Sequence, residues 1–259
     1  MISIGELKAI YNELKNDDIN SIEVFIKENK NDSRAGAIAL VNKAEKRLHD
    51  IHKEQERSYK MYELERKYYS LGADYICGID EVGRGPFAGP VVACAVILPK
   101  DEIILELNDS KQIKKAKREE LCDIIKDKAV AYGIGIASEK VIDDINILQA
   151  TYQAMREAIS KLSVKPDVLL NDAVRIPEVD IKQVPIIKGD TLSASIAAAS
   201  IVAKVTRDKM MEDYDDVYPG YYFGENAGYG VPKHVEALKK LGPCPIHRKS
   251  FIKKYINED

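Results

Sequence analysis

The sequence has no run of about 18 apolar residues, so no membrane-spanning helix is expected. Its opening, MISIGELKAI, lacks a basic segment followed by an apolar one, and so does not read as a secretory signal. Cysteine is scarce. Cys77, Cys94, Cys122 and Cys244 are irregularly spaced with no CxxC pair, which argues against zinc and makes a reducing cytoplasm the simplest compartment. An excess of either charge is also missing. The 39 Lys and Arg residues nearly balance 42 Asp and Glu, leaving a formal net charge of −3. With no positive field over the whole chain, a polyanionic ligand would have to be drawn by local basic patches or bound metal. A length of 259 residues suits one sizeable core with an appendage.

Residues 1–71 contain no proline and are dense in charge of both signs. Ser3 and Glu6 have the spacing of a capping box, and Ile10 and Leu14 give a short amphipathic helix. Asn31, Asp32 or Ser33 is placed to cap a long helix reaching Tyr69, with Gly72 near its end. The division expected is a helical accessory domain, 1–71, followed by an α/β domain, 72–259.

The chain is organised around Tyr75–Leu98, YICGIDEVGRGPFAGPVVACAVIL. A short apolar strand runs into two adjacent acids, Asp80 and Glu81. A turn, Gly83-Arg84-Gly85-Pro86, follows, and then a β-branched run, Val91 to Leu98, that reads as a buried strand. Charge at the end of a core strand is costly unless it is paired or binds metal. Carboxylates suit a hard cation. Beside them, Gly83 and Gly85 allow close approach of backbone N–H groups, and Arg84 offers a fork for phosphate, a combination that points to metal-assisted phosphodiester chemistry. Because successive strand residues face opposite ways, Asp80 and Glu81 are expected to share a site only where the strand ends or bends.

Further on, Ala129–Ala137 reads as a strand and Val141–Leu162 as a helix whose apolar stripe belongs to the core. Two more short apolar runs end in acids: Val168-Leu169-Leu170 reaches Asn171-Asp172, and Val184–Ile187 reaches Lys188-Gly189-Asp190. An alanine-rich helix, Leu192–Met211, carries Ser193, Ser200, Lys204, Arg207 and Asp208. A Tyr- and Gly-rich loop, Tyr218–Tyr229, precedes a basic helix opened by Lys233-His234; aromatics among cations suit stacking on sugars or bases.

The segment Gly78-Ile79-Asp80-Glu81-Val82-Gly83-Arg84-Gly85-Pro86, continued by Gly89-Pro90-Val91-Val92, resembles the signature of the ribonuclease HII family. So do Asp109-Ser110-Lys111, Lys188-Gly189-Asp190, Ser195–Ala198, Ala203–Asp208, Gly228-Tyr229-Gly230 and the end through His247-Arg248-Lys249-Ser250-Phe251. The resemblance covers about residues 74–252. It implies a ribonuclease H-like fold: a mixed five-stranded sheet with helices on both faces, plus the helical N-terminal appendage. It places Asp80, Glu81, Asp172 and Asp190 on the family's four catalytic, metal-binding carboxylates, with two Mg²⁺ or Mn²⁺ ions when substrate is bound. It implies substrate contacts by Gly83, Arg84 and Gly85, which would read the ribose 2′-OH, by Lys111, Lys204 and Arg207, and by Tyr229 on the neighbouring sugar. His247 and Arg248 are left between touching substrate backbone and capping. The implied activity is cleavage of the RNA strand of RNA/DNA hybrids and of duplex DNA on the 5′ side of a single ribonucleotide; a cytoplasmic monomer that needs no protein partner is the default expectation. Arg84 favours this type over ribonuclease HIII, which typically has Lys there. Val231 replaces the usual Thr, and Asn171 an apolar residue. A dinucleotide site is disfavoured because Pro86 and a strand, not a helix, follow the glycines. A non-catalytic nucleic-acid binder would be expected to have lost carboxylates.

Overall fold

The computed structural model describes residues 2–16 and 18–256 and divides into two compact units, Met1–Lys60 and Met61–Asp259. The first contains α1 (Ile4–Glu13), α2 (Ile19–Asn29) and nearly all of α3 (Ala35–Met61). Ser3 and Glu6 form the expected capping box: each side chain accepts the other's backbone N–H, at 3.2 and 2.8 Å. Leu7, Ile22, Phe25, Ala37, Leu40 and Ala44 close a small core at helical spacing. Helix α2 was not expected; its sequence signals are Asp18, which accepts the Ser21 N–H at 3.0 Å, and the three-residue step from Ile22 to Phe25.

The long helix anticipated to reach Tyr69 instead stops at Met61 and restarts as α4 (Glu63–Ser70). The break falls at Tyr62, which is buried and whose hydroxyl accepts the Ile104 N–H at 2.9 Å. Although α4 has the composition of the helices before it, its Tyr68 packs with Ile76, Val168, Leu170 and Ile196 of the second unit.

That unit is built on a five-stranded sheet. Its strands are β1 (Ile76–Val82), β2 (Val91–Ile97), β3 (Ala131–Ala137), β4 (Val168–Asp172) and β5 (Lys182–Ile186), in the order β3-β2-β1-β4-β5. The β3-β2-β1 pairings are antiparallel and the β1-β4-β5 pairings parallel, giving the mixed sheet expected. The helices are α5 (Lys115–Lys128), α6 (Glu139–Ser160), α7 (Ala194–Val217), the single-turn α8 (Phe223–Asn226), α9 (Pro232–Leu241) and α10 (Lys249–Ile256). Strand β2 shows how both faces are covered. Val92, Cys94 and Val96 pack with α5 and α7, while Val91, Ala93, Ala95 and Ile97 pack with α6.

Helix α7 crosses β1 at Gly78. A Cβ on Gly78 would lie 2.0 Å from the Ser195 carbonyl carbon and 2.3 Å from the Ile196 nitrogen, so only glycine lets the helix start rest there. Gly78→Ala is expected to cost about 3 kcal/mol in urea unfolding, as overpacking against immobile backbone does. An unchanged midpoint and slope would show that α7 does not lie on β1.

Candidate active site

The first pair of acids lies at the end of β1: pairing with β4 stops at Ile79, and pairing with β2 runs through Asp80 and Glu81 to the last strand residue, Val82. Gly78 faces α7, and so, two residues on, does Asp80. Leu170 of β4 packs with Ile196 of α7, which puts Asp172 on the same side. Glu81 leaves β1 from the other side, in step with Cys77 and Ile79. Asp190 lies in a single 3-10 turn, Gly189–Thr191, just ahead of α7. The Asp172 carboxylate accepts the Gly189 N–H at 2.8 Å, tying the third acid to the turn that carries the fourth.

Asp80 is 7% exposed. Its carboxylate accepts the Glu81 N–H at 2.7 Å and a hydrogen bond from Ser200 of α7. Ser200 meets Ser110 Oγ at 3.0 Å, and the Ser110 carbonyl accepts from Arg118 at 2.8 Å. Burial first, then the Glu81 charge, push Asp80 well above the usual carboxylate range. Burial raises Glu81 against the opposing pull of Arg84, whose Nη1 is 3.2 Å away. Asp190 is raised by burial and then by Asp109 and Asp172, with Lys111 opposing. The acids therefore feel one another, and Glu81 Oε2 is buried with no hydrogen-bond partner. Among the described residues, no three His, Cys, Asp or Glu side chains close into a ready metal cage. Crowded carboxylates with an orphaned oxygen still suit a hard divalent cation, whose charge would offset their repulsion.

Beside the acids lie two loops, 83–90 and 227–231. Phe87 N–H donates to Gly228 O at 2.8 Å, and Gly89 N–H to Ile246 O at 2.9 Å. Arg207, expected to touch substrate, is 0% exposed. It donates to the carbonyls of Pro90, Ala227 and Ala88 at 2.9, 2.9 and 3.1 Å, which makes it a brace for these loops and corrects the expectation. A Cβ on Gly83, whose φ is +92°, would lie 2.2 Å from Arg207 Nε, so glycine is required there twice over. Arg248 is also 0% exposed. It donates to Gly83 O, Arg84 O and Gly89 O at 2.5, 3.0 and 2.9 Å, deciding its role in favour of support. Desolvation pulls Arg207 down to about 10 and Arg248 to about 9, so both remain charged at neutral pH.

Arg84, Gly85 and Lys111 are exposed, and Tyr229 is 42% exposed. Tyr229 Cε1 lies 3.7 Å from where a Gly85 Cβ would be, so the ring stands against the glycine turn. Lys204 is half-buried and ion-paired with Asp208 at 2.5 Å, leaving it less available than Lys111. Sequence reasoning missed Glu65. This buried α4 carboxylate accepts from Ser193 Oγ at 2.6 Å and Ser195 N–H at 2.9 Å, capping the start of α7 just after Asp190. Burial raises it above the usual range. Glu65 sits in a charge-rich helix, and its burial leaves no mark in the local sequence.

Comparison with known proteins agrees with this geometry. The profile of the family Ribonuclease HII matches residues 77–254, and that of the Ribonuclease HII N-terminal domain matches residues 6–69. A ribonuclease HII of Lachnoclostridium phytofermentans is 61% identical over 86% of this chain and 87% of its own. One from Clostridioides difficile is 49% identical over 98% of both. Among solved structures, the PCNA:RNase HII complex from Archaeoglobus fulgidus aligns with a TM-score of 0.58 and 26% identity, over 71% of this chain and 97% of that one. Fold, ordered motifs and relatives converge: the chain belongs to the ribonuclease HII family, an endonuclease family of the ribonuclease H type.

Proposed function

We propose that this endonuclease hydrolyses the RNA strand of RNA/DNA hybrids and cuts duplex DNA on the 5′ side of a single embedded ribonucleotide, leaving 3′-hydroxyl and 5′-phosphate ends. The observation that carries the reading is the Gly83-Arg84-Gly85 turn, buried at Gly83 and exposed at Arg84 and Gly85, set between Glu81 and the Tyr229 ring. The turn has the backbone donors and guanidinium needed to read a ribose 2′-OH and its phosphate, the 2′-OH being the group that distinguishes RNA from DNA. Tyr229 offers a flat apolar surface to the adjacent sugar, and Lys111 a charge for backbone phosphate. Asp80, Glu81, Asp172 and Asp190 would hold Mg²⁺ or Mn²⁺, two ions with substrate in place, and such ions supply Lewis-acid charge neutralisation and an acidified water. The role this implies is removal of ribonucleotides and RNA primers from DNA. No helix among the described residues is long and apolar enough to cross a membrane.

The test is a labelled DNA duplex carrying one ribonucleotide, incubated with purified protein alone in Mg²⁺, Mn²⁺ or EDTA, beside an all-DNA control. The expected result is one metal-dependent cut 5′ to the ribonucleotide and an intact control. Cleavage of long hybrids only would remove the single-ribonucleotide specificity. A requirement for an added protein would remove the reading of a self-sufficient monomer.

A further inference from the structure

Two histidines that the proposed chemistry does not use stand behind Tyr229. His234, on α9, is 0% exposed and His247, ahead of α10, is 3% exposed. Their Nε2 atoms are 3.0 Å apart. The outer partners fix the direction of the chain. His234 Nδ1 is 2.8 Å from the Tyr229 carbonyl, which can only accept, so this nitrogen carries a proton. His247 Nδ1 receives the Cys244 N–H at 3.0 Å, so this nitrogen is bare. The remaining proton of His247 is then on Nε2 and points at the bare Nε2 of His234. One proton per ring satisfies every position, and a second on either ring would set two N–H groups face to face. Burial, reinforced by His234, holds His247 at about 4, and burial lowers His234.

The pair is also held sideways. His234 stacks edge-on to Phe223 at 5.4 Å and His247 to Tyr221 at 5.0 Å between centroids. The Tyr229 carbonyl additionally accepts the Val231 N–H at 2.8 Å, so the residue is pinned through its backbone while its half-exposed ring stands against the glycine turn.

We propose that His234 and His247 form a directed hydrogen-bond relay that positions Tyr229 against the Gly83–Gly85 turn, making both histidines positioning residues for substrate recognition. The inference rests on the proposed contact between Tyr229 and substrate. Because Tyr229 lies on the binding surface rather than among the acids, loosening it should weaken substrate and transition state alike, raising KM with kcat unchanged.

The experiment is a double-mutant cycle on the single-ribonucleotide duplex in Mg²⁺, with steady-state kinetics and melting of each variant. His234→Phe keeps an aromatic ring and removes both hydrogen bonds; His234→Asn retains a donor near the Nδ1 position. His234→Phe is expected to raise KM about tenfold with kcat within about twofold, and His234→Asn to recover much of the loss. In a Tyr229→Ala background, His234→Phe should add less than about twofold, because the residue it positions has no ring. Full additivity with Tyr229→Ala, or a fall in kcat at unchanged KM, overturns the proposal. If His234→Phe does not fold, His234→Asn carries the same cycle, with a smaller expected KM rise that must again vanish beside Tyr229→Ala. Failure of the underlying reading looks different: wild type would not cut the duplex, or Tyr229→Ala alone would leave KM unchanged.

Discussion

Asp80→Asn is expected to lower kcat by about a thousandfold or more, the equivalent of about 4 kcal/mol of lost charge stabilisation, while the protein stays folded and melts at a higher temperature. The two effects share one cause. Asp80 is buried beside Glu81 and Asp172, and its ionisation is opposed by burial and by both neighbours. A carboxylate whose folded-state pKa is raised lowers stability as pH climbs from the ordinary aspartate value through the raised one, because the native state holds its proton longer than the unfolded chain. Asparagine has the same shape and no charge to desolvate, so the metal-free variant should gain stability over wild type at neutral pH and lose that advantage in acid. Kinetics and melting curves in EDTA at pH 5 and 7.5 check both halves. Turnover near wild type would show that Asp80 does not serve the reaction. A variant less stable than wild type at pH 7.5 would show that its charge is compensated within the fold.

The largest structural loss is expected from Arg248→Met. Methionine fills part of the space but takes the guanidinium from the carbonyls of Gly83, Arg84 and Gly89. Stripping a buried carbonyl of its donor costs about 1–3 kcal/mol. Three together, eased by relaxation of the loop, should cost about 4 kcal/mol, a fall in Tm of about 10 °C for a chain this long. Cleavage should fall as well, because the same carbonyls shape the turn proposed to read the 2′-OH. Thermal melting and the single-ribonucleotide assay measure the two effects. A melting temperature within 2–3 °C of wild type, a shift worth only about 1 kcal/mol, would mean that Arg248 does not brace the loop.

Much of this architecture was legible in the residues. The β-branched runs marked β1 and β2, the alanines marked α7, and the glycine turn was visible because glycine is needed there for specific reasons of space and φ. The acids were conspicuous as charge at the ends of apolar runs. What was hidden has a common character. Arg207 and Arg248 look in sequence like surface cations, and only the tertiary structure shows that backbone carbonyls take up their donors. Glu65 sits among charged residues of a short helix, yet its carboxylate caps α7. His234 opens what reads as a basic helix and turns inward. Helix boundaries moved for the same reason, as at Tyr62, where a distant N–H ends a helix that local spacing would have continued. Side chains that satisfy remote backbone leave little trace in local pattern.

The position of β1 bears on how the chain is made. This strand is central, and its partner on one side, β2, follows at once through the glycine loop. Its partner on the other side, β4, begins only at Val168. On a ribosome adding about 5–20 residues per second, that edge of β1 waits several seconds for its mate. An open edge of apolar strand is a template for pairing with other chains. Asp80 and Glu81, unfavourable to the finished fold, lie just beyond the Ile76–Ile79 stretch that pairs with β4 and would repel a second copy aligned with the strand. The charges proposed for cleavage would thus also guard the nascent chain.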